Sequence, residues 1–236
     1  MKYVKVLCFR PNLAVLVILT IGLCFSCQKN IEKTPIVREN IEWLDVWIPH
    51  TNENKLPKIL FIGNSIMRGY GKKVEQLLKD KAYASRLCTS KSIGDPGLIQ
   101  EINLVMGYQN FDVVHFNNGL HGWGYTEDQY RKSFPEFINT IQKNAPGATL
   151  IWATITPVYQ KDNFGQLDPK TERIKKRNKI ALDYLEDHKQ IRINDLFNLA
   201  IQHPEYFEGG DGTHPNTDGY SKIAEHVASE VEMLWR

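Results

Sequence analysis

The sequence of 236 residues has few cysteines, no long basic tract and no internal repeat. Four cysteines are too few for a dense disulfide framework, and Cys88, the only one beyond residue 27, has no catalytic motif around it and is expected to be a small core residue. The absence of a period of about 20–50 residues excludes a solenoid or propeller. The longest basic run is Lys175–Arg177, so the charge pattern predicts no nucleic-acid partner. What is present, 42% apolar and 24% charged residues, is typical of a globular domain.

The N-terminus has the pattern of an export signal. Residues 1–26 contain three basic residues and no acidic one, and their apolar run extends only from Leu13 to Phe25. That run is shorter than the roughly 20 residues that a helix needs to cross a bilayer. A charged start, a short apolar region and small or polar residues after it are typical of a secretory signal. We therefore interpret residues 1–26 as a signal peptide rather than as a buried helix.

The end of this signal predicts either of two processing routes. Leu23-Cys24-Phe25-Ser26-Cys27 resembles the lipobox of bacterial lipoproteins, in which the final cysteine becomes a lipidated N-terminus. Because Cys24 and Phe25 depart from that box, simple signal cleavage is the alternative to lipidation of Cys27. Either route predicts an exported protein, periplasmic or anchored to the outer membrane, and the lipidation route alone predicts contact with a membrane, through the lipid on Cys27. Without residues 1–26 the net charge changes from +2 to −1, which gives no reason to expect a polyanionic partner.

The remaining chain divides into a tether and one domain. Residues 27–56 mix charge, Asn and Pro with Trp43 and Trp47, which predicts a tether that ends in a segment packing its aromatic side chains on the domain. Residues 57–236 show the regular periodicity of a folded domain. Buried strands are predicted at Lys58–Gly63, Asp112–Phe116, Thr149–Ile155 and Ile191–Ile193, and helices after the first strand, at about 127–143, at about 170–187 and from Thr217 onward.

Strands that alternate with helices of this length predict an α/β fold with a mostly parallel sheet covered on both faces. In such sheets ligands bind beyond the carboxyl ends of the strands. Ser65 lies at such a position, directly after Lys58–Gly63 and at the start of a helix. It is a candidate nucleophile, although a serine there can also simply cap the helix. Met67 stands where the nucleophile elbow of another hydrolase class requires glycine, so that motif is excluded.

A pair of polar residues that could act together with Ser65 lies near the C-terminus. Asp211 and His214 are three residues apart in a glycine-rich loop before the last predicted helix. On a helical turn this spacing brings both side chains to one side. The carboxylate can then hold one ring nitrogen of the imidazole and present the other to a nucleophile. The alternative is a polar loop in which Asp211 caps a turn.

These blocks resemble the SGNH/GDSL hydrolase family. Gly63-Asn64-Ser65-Ile66 is similar to its first block, Ser92-Ile93-Gly94-Asp95 stands where its second is expected, and Asp211-x-x-His214 is similar to its last. The third block departs from the usual Gly-x-Asn-Asp, because it reads Gly119-Leu120-His121-Gly122. The stretch His115–His121 instead resembles a branch of the family with the signature His-Phe-Asn-x-Gly-Leu-His.

The resemblance implies a three-layer α/β/α, flavodoxin-like fold and ester hydrolysis without a metal or organic cofactor. It implies that Ser65 is the nucleophile, that His214 is the general base and that Asp211 orients the imidazole. The oxyanion would be held by the main-chain N–H groups of Ser65 and Gly94 and by one side chain, with His121 as the first choice and Asn117 as the second. His115, inside a predicted strand, is expected to be a core residue.

Three aromatic residues bear on the substrate. Trp123, Tyr125 and Tyr159 follow predicted strand ends, where aromatic side chains either stack on sugar rings or fill gaps between loops. Export, a possible lipid anchor and the resemblance together favour a carbohydrate O-acetylesterase, acting on an acylated glycan or another small ester. A lysophospholipase with the same triad is one alternative. A lipoprotein that keeps the fold only to bind glycans is another, which the departures at His121 and Gly122 would favour.

Overall fold

The computed structural model of this protein describes residues 35–235. The predicted signal peptide (1–26), the predicted lipidation site Cys27 and the start of the predicted tether lie outside these residues. Within residues 35–235, no helix is both long enough and apolar enough to cross a membrane.

The described chain contains eight strands and six α-helices. The strands are β1 (Leu44–Trp47), β2 (Lys58–Gly63), β3 (Tyr83–Thr89), β4 (Val113–Phe116), β5 (Thr149–Ala153), β6 (Tyr159–Gln160), β7 (Asn163–Leu167) and β8 (Ile191–Asn194). The helices are α1 (Ser65–Leu77), α2 (Pro96–Met106), α3 (Glu127–Asn144), α4 (Lys170–Leu185), α5 (Leu196–Ile201) and α6 (Thr217–Glu232), with a short 3-10 turn at Pro204–Phe207.

Six strands form one sheet in the order β1-β3-β2-β4-β5-β8, and β6 pairs with β7 in a separate hairpin. All pairings in the sheet are parallel except that of β1 with β3. The five parallel strands have the flavodoxin-like order, in which the direction of the crossovers reverses between β2 and β4. Ligand sites in such sheets lie at the carboxyl ends of the strands at this reversal. Ser65 and the third block follow these two strands.

Both faces of the sheet are covered, which explains why β2 is buried along its whole length. Alternate residues of β2 contact different layers. Ile59 and Phe61 pack with apolar residues of α1 and α6, and Leu60 and Ile62 pack with those of α2, α3 and α4. The predicted three-layer α/β/α fold is therefore confirmed.

Most predicted elements are confirmed within a few residues, but β1, β3, β6, β7, α2 and α5 were not predicted. β1 lies in residues 27–56, which we interpreted as a tether ending in a segment that packs its aromatic side chains on the domain. It adds an antiparallel edge strand to the sheet, and Trp43, just before it, is partly buried against the core, whereas Trp47 is exposed. Cys88 lies in β3, fully buried, as expected for a core residue.

Candidate active site

Ser65 is the first residue of α1, directly after β2. The cap of this helix is Asn64, whose side-chain Oδ1 accepts a hydrogen bond from the main-chain N–H of Ile66 at 3.0 Å. The Ser65 hydroxyl is therefore not needed as a helix cap, and the alternative interpretation of this serine is wrong. Gly63 makes the tight strand-to-helix turn possible, because a Cβ there would lie 2.6 Å from the Cβ of Met67.

The loop before α6 brings His214 to Ser65. Nε2 of His214 lies 2.8 Å from Oγ of Ser65, although 149 positions separate the two residues in the chain. Nδ1 of His214 lies 2.7 Å from Oδ2 of Asp211. The three side chains thus form one continuous chain of hydrogen bonds, in the arrangement that activates a serine hydroxyl.

Asp211 is held by its own loop. Its Oδ1 accepts hydrogen bonds from the main-chain N–H groups of Thr213 at 2.9 Å and His214 at 2.8 Å. Burial raises the pKa of Asp211, but these hydrogen bonds and the His214 imidazole outweigh that effect, so its pKa lies below the usual value. Asp211 therefore remains ionised at neutral pH and can orient and stabilise a protonated His214.

The conformation of this loop depends on Gly212. Its φ is +77°, and a Cβ there would lie 2.1 Å from the main-chain oxygen of Tyr159. The carbonyl of Gly212 in turn accepts a hydrogen bond from the N–H of Tyr159 at 2.8 Å. Asn216 then caps α6 by accepting a hydrogen bond from the N–H of Gly219 at 2.9 Å. The loop is therefore held by a main-chain hydrogen bond at Gly212 and by the side-chain cap of Asn216.

Gly94 lies after β3, in the loop that leads into α2. Its φ of +106° is a conformation that L-residues rarely adopt, and a Cβ there would lie 3.4 Å from the ring of Tyr125. Asn118 connects this loop to the third block. Its Oδ1 accepts from the N–H of Ile93 at 3.0 Å, and its Nδ2 donates to the carbonyl of Lys91 at 2.9 Å. The second and third blocks are therefore held as one unit.

The two candidates for the third oxyanion donor have different surroundings. Nδ2 of Asn117 donates to the carbonyl of Ala153 at 2.7 Å, so this amide connects β4 to β5. His121 is partly buried, and its Nδ1 lies 3.4 Å from Oε1 of Glu39. The structure gives its Nε2 no hydrogen-bond partner within residues 35–235. His121 is therefore the candidate with a free ring nitrogen.

For Tyr125 and Tyr159 the structure favours the second of the two alternatives, in which aromatic side chains fill gaps between loops. Both are buried, with 1% and 4% of their surface exposed. The Tyr125 hydroxyl accepts a hydrogen bond from the N–H of Val37 at 2.8 Å, and that of Tyr159 donates to the carbonyl of Ala200 at 3.1 Å. They fill gaps between loops. Trp123 is partly buried beneath the guanidinium group of Arg177, which lies 4.9 Å from its ring centre.

Sequence reasoning missed Glu39 and Arg177, which both contact the third block. Glu39 faces His121, and Arg177 donates to the carbonyls of Gly119, His121 and Gly122 at 2.8–3.0 Å. No local motif marks either residue, because their partners lie more than 50 positions away in the chain. Within residues 35–235, no group of three or more His, Cys, Asp or Glu side chains could hold a metal ion.

A family model for GDSL-like Lipase/Acylhydrolase matches residues 101–227, which is more than half of the chain. Together with the doubly wound sheet and the Ser65–His214–Asp211 arrangement, this defines the class of protein. The chain belongs to the GDSL-like lipase/acylhydrolase family. The matched residues include Asp211 and His214, whereas Ser65 and Gly94 precede them. A search of curated protein sequences found no match.

Solved structures with similar folds include three of interest. A GDSL-like lipase from Bacteroides thetaiotaomicron is 15% identical, with 75% of this chain and 88% of that chain covered and a TM-score of 0.59. The C-terminal catalytic domain of peptidoglycan O-acetyltransferase A from Streptococcus pneumoniae is 18% identical, with coverage of 75% and 94% and a TM-score of 0.54. A carbohydrate esterase family 3 structure from Talaromyces cellulolyticus is 16% identical, with coverage of 76% and 98% and a TM-score of 0.59. Identities this low establish a shared fold and nothing more.

Proposed function

We propose that this protein is an exported serine esterase that removes O-acyl groups, acetyl groups above all, from carbohydrates. The observation that carries the proposal is the unbroken chain of hydrogen bonds from Ser65 through His214 to Asp211. A module that had kept the fold only to bind glycans would have no need of this chain. Membership of an acylhydrolase family supports ester hydrolysis as the reaction.

In the proposed reaction, Oγ of Ser65 attacks the ester carbonyl carbon while its proton passes to Nε2 of His214. The C–O bond to the leaving alcohol then breaks, and His214 gives its proton to that oxygen. A water molecule attacks the acyl-enzyme as His214 takes one of its protons. The carboxylic acid leaves and the proton returns to Ser65. Asp211 stays ionised and stabilises the imidazolium in both steps.

The negative oxygen of each tetrahedral intermediate needs donors. The N–H groups of Ser65 and Gly94 are two of them in this proposal, and His121 is the third. Asn117 is the weaker choice because one of the two N–H groups of its amide already donates to the carbonyl of Ala153, which fixes the side chain. One such donor is typically worth about 3 kcal/mol in the transition state.

Carbohydrate esters are favoured over lipids by context. Two proteins of similar fold are described as a peptidoglycan O-acetyltransferase and a carbohydrate esterase. The proposed export, with lipidation at Cys27 and a location in the periplasm or on the outer membrane, would bring the enzyme to cell-wall or imported glycans. An acylated but uncharged glycan also suits a chain whose net charge beyond residue 26 is −1.

The test uses the full-length protein with a fluorophosphonate probe and p-nitrophenyl acetate. The parent protein should be labelled and should hydrolyse the ester, and Ser65→Ala should abolish both. Ser221→Ala, which removes an exposed hydroxyl bonded to the carbonyl of Thr217 in α6, is the matched control and should retain both. Activity in the parent no higher than in Ser65→Ala would end the esterase proposal.

Substrate class is tested next. Acetate released from acetylated polysaccharide, without fatty acid released from a lysophospholipid, supports the carbohydrate esterase. The reverse result supports the lysophospholipase. Export and anchoring are tested separately, because Cys27→Ser should move the protein from the membrane fraction to the soluble exported fraction if Cys27 carries lipid.

A further inference from the structure

The segment before β1, residues 35–43, lies against the loops that carry the second and third blocks. Val37 donates its N–H to the hydroxyl of Tyr125 at 2.8 Å, and Nε of Arg38 lies 3.4 Å from Oδ2 of Asp95. Glu42 accepts from the hydroxyl of Ser90, whose Oγ also accepts from the N–H of Trp43 at 2.9 Å. This N-terminal segment is therefore part of the wall around the candidate site rather than a passive tether.

Glu39 is the member of the segment that faces His121. Its Oε1 accepts a hydrogen bond from the N–H of Gly122 at 2.9 Å, which fixes the carboxylate beside the third block. The same oxygen lies 3.4 Å from Nδ1 of His121, within ion-pair distance of the ring. The carboxylate thus contacts the loop and the imidazole together.

The ring of His121 is also held by packing. Trp43 packs against it in a T-shaped arrangement, with ring centres 6.0 Å apart. The guanidinium of Arg68 lies over the ring of Trp43, 4.5 Å from the indole centre. Arg68 belongs to α1, one turn after Ser65. His121 therefore packs on Trp43, and Trp43 packs on Arg68 of the helix that begins at Ser65.

A carboxylate beside Nδ1 decides where the protons of the imidazole reside. A neutral imidazole carries one proton, and the adjacent negative charge favours its position on Nδ1. Nε2 then has no proton to donate. It gains one only when the ring becomes a cation, and a cation next to Glu39 is stabilised by the same charge.

Resting on the proposed function, we propose that Glu39 is a positioning residue for His121, whose carboxylate keeps a proton on Nδ1 so that the ring donates to the oxyanion through Nε2 as an imidazolium. His121 thereby supplies a positive charge where the reaction develops a negative one, which a neutral asparagine at this position could not do. The esterase of this chain would then need two histidines in opposite states, His214 neutral and His121 charged.

The groups that face His121 come from four elements. Glu39 and Glu42 lie on the N-terminal segment, Arg68 lies behind Trp43 on α1, His214 lies on the loop before α6, and Arg177 of α4 bonds to the main-chain carbonyl of His121. Burial, assisted by a charge on His214, lowers the pKa of His121 below its usual value, and the charges of Glu39 and Glu42 limit that shift without cancelling it. The negative charge of Glu39 therefore increases the fraction of His121 that is present as the imidazolium.

The experiment is the pH dependence of kcat/KM for p-nitrophenyl acetate, measured with the full-length parent, Glu39→Gln, His121→Asn and the double variant. Glutamine keeps an acceptor for the N–H of Gly122 but removes the charge. A neighbouring opposite charge shifts a pKa by about one unit or more. In Glu39→Gln, the limb of the profile that reports the ionisation of His121 should therefore move to lower pH by about one unit. The maximum of kcat/KM should fall by up to about tenfold.

Two comparisons separate this role from a structural one. In the His121→Asn background, Glu39→Gln should leave the shape of the profile unchanged, because no imidazole remains to respond. Asp45→Asn, which removes another carboxylate of the same part of the chain, one that pairs with Arg86 instead, should leave the parent profile unchanged. A Glu39→Gln profile identical to that of the parent, or an equal shift in both backgrounds, would overturn the proposal. An inactive parent would instead count against the esterase function itself.

Discussion

Nη1 of Arg177 donates a 2.8 Å hydrogen bond to the main-chain carbonyl of His121, although the two residues are 56 positions apart in the chain. The same guanidinium group donates to the carbonyls of Gly119 at 2.8 Å and Gly122 at 3.0 Å. Arg177 is 1% exposed, with Trp123 and Tyr130 against its planar face. A planar fork of donors is suited to three carbonyls of one loop, and it fixes the main chain from which His121 projects.

Arg177→Lys should destabilise the protein by about 2–4 kcal/mol, because a lysine ammonium cannot reproduce the fork and leaves buried carbonyls without donors. Urea denaturation at pH 7 measures the loss. Arg173→Lys is the matched comparison one turn earlier in α4, where the guanidinium is more exposed and donates to the carbonyls of Trp123 and Tyr125. Its cost should be about 1 kcal/mol. Equal costs at both positions would show that burial of Arg177 is not what makes it important.

Gly94→Ala should reduce kcat by about 10²–10³, the usual effect of losing one oxyanion donor. The φ of +106° is strained for alanine, and the new Cβ would press against the ring of Tyr125, so the peptide that carries the N–H of Gly94 should turn. Gly165→Ala in β7 is the control, since a Cβ there has no neighbour closer than 3.4 Å and should leave kcat unchanged. A fully active Gly94→Ala enzyme would remove Gly94 from the oxyanion hole.

The elements that sequence reasoning predicted are those with a continuous apolar signal. Lys58–Gly63 was predicted with both ends correct, since a strand buried on both faces is apolar throughout. β3 was not predicted because Ser85 and Arg86 interrupt its apolar pattern. Arg86 is accommodated there because β1 brings Asp45 and Trp47 next to it and α1 brings Glu75, and no local pattern reports a partner about 40 positions away.

The residues of the candidate site also differ in whether a local motif marks them. Ser65, Asp211 and His214 could be predicted because each stands in a short block whose spacing has a chemical reason. The contacts of Glu39 with the third block could not, since they depend on how the N-terminal segment lies across loops about 80 residues later in the chain. For Tyr125 and Tyr159 two alternatives stayed open, because aromatic residues after strand ends have the same local sequence whether they are exposed or buried.

Cys88 should be unreactive toward thiol reagents in the native protein. Its side chain is fully buried, with Sγ 3.1 Å from Sδ of Met67, and burial raises its pKa to about 12, assisted by the charge of Asp45. Only the thiolate reacts, so both access and ionisation are suppressed. The parent and Cys88→Ala should titrate the same number of thiols when folded and differ by one when unfolded in guanidinium chloride. A difference in the folded state would contradict this.

His115 makes stability depend on pH. This histidine of β4 is 1% exposed, its Nε2 lies 3.1 Å from Nδ2 of Asn194, and Oδ1 of that asparagine lies 2.8 Å from Nε2 of His226. Burial, with a smaller effect of a charge on His226, lowers the pKa of His115 from 6.5 to about 3. The unfolded chain therefore binds a proton at this residue near pH 6.5 that the folded chain does not bind until near pH 3.

Between those two values unfolding takes up a proton, so the stability that is present above pH 6.5 should be lost progressively as the pH falls, by at most about 1.4 kcal/mol per pH unit from this residue. His115→Gln removes the titrating group while leaving a polar side chain beside Asn194. The variant should lose packing energy at every pH, but its free energy of unfolding should fall less steeply than that of the parent between pH 7.5 and about 4.5. Urea denaturation across this range measures both slopes. Because the difference between the two proteins must narrow as the solution becomes more acidic, parallel curves would show that His115 does not remain neutral in the folded state.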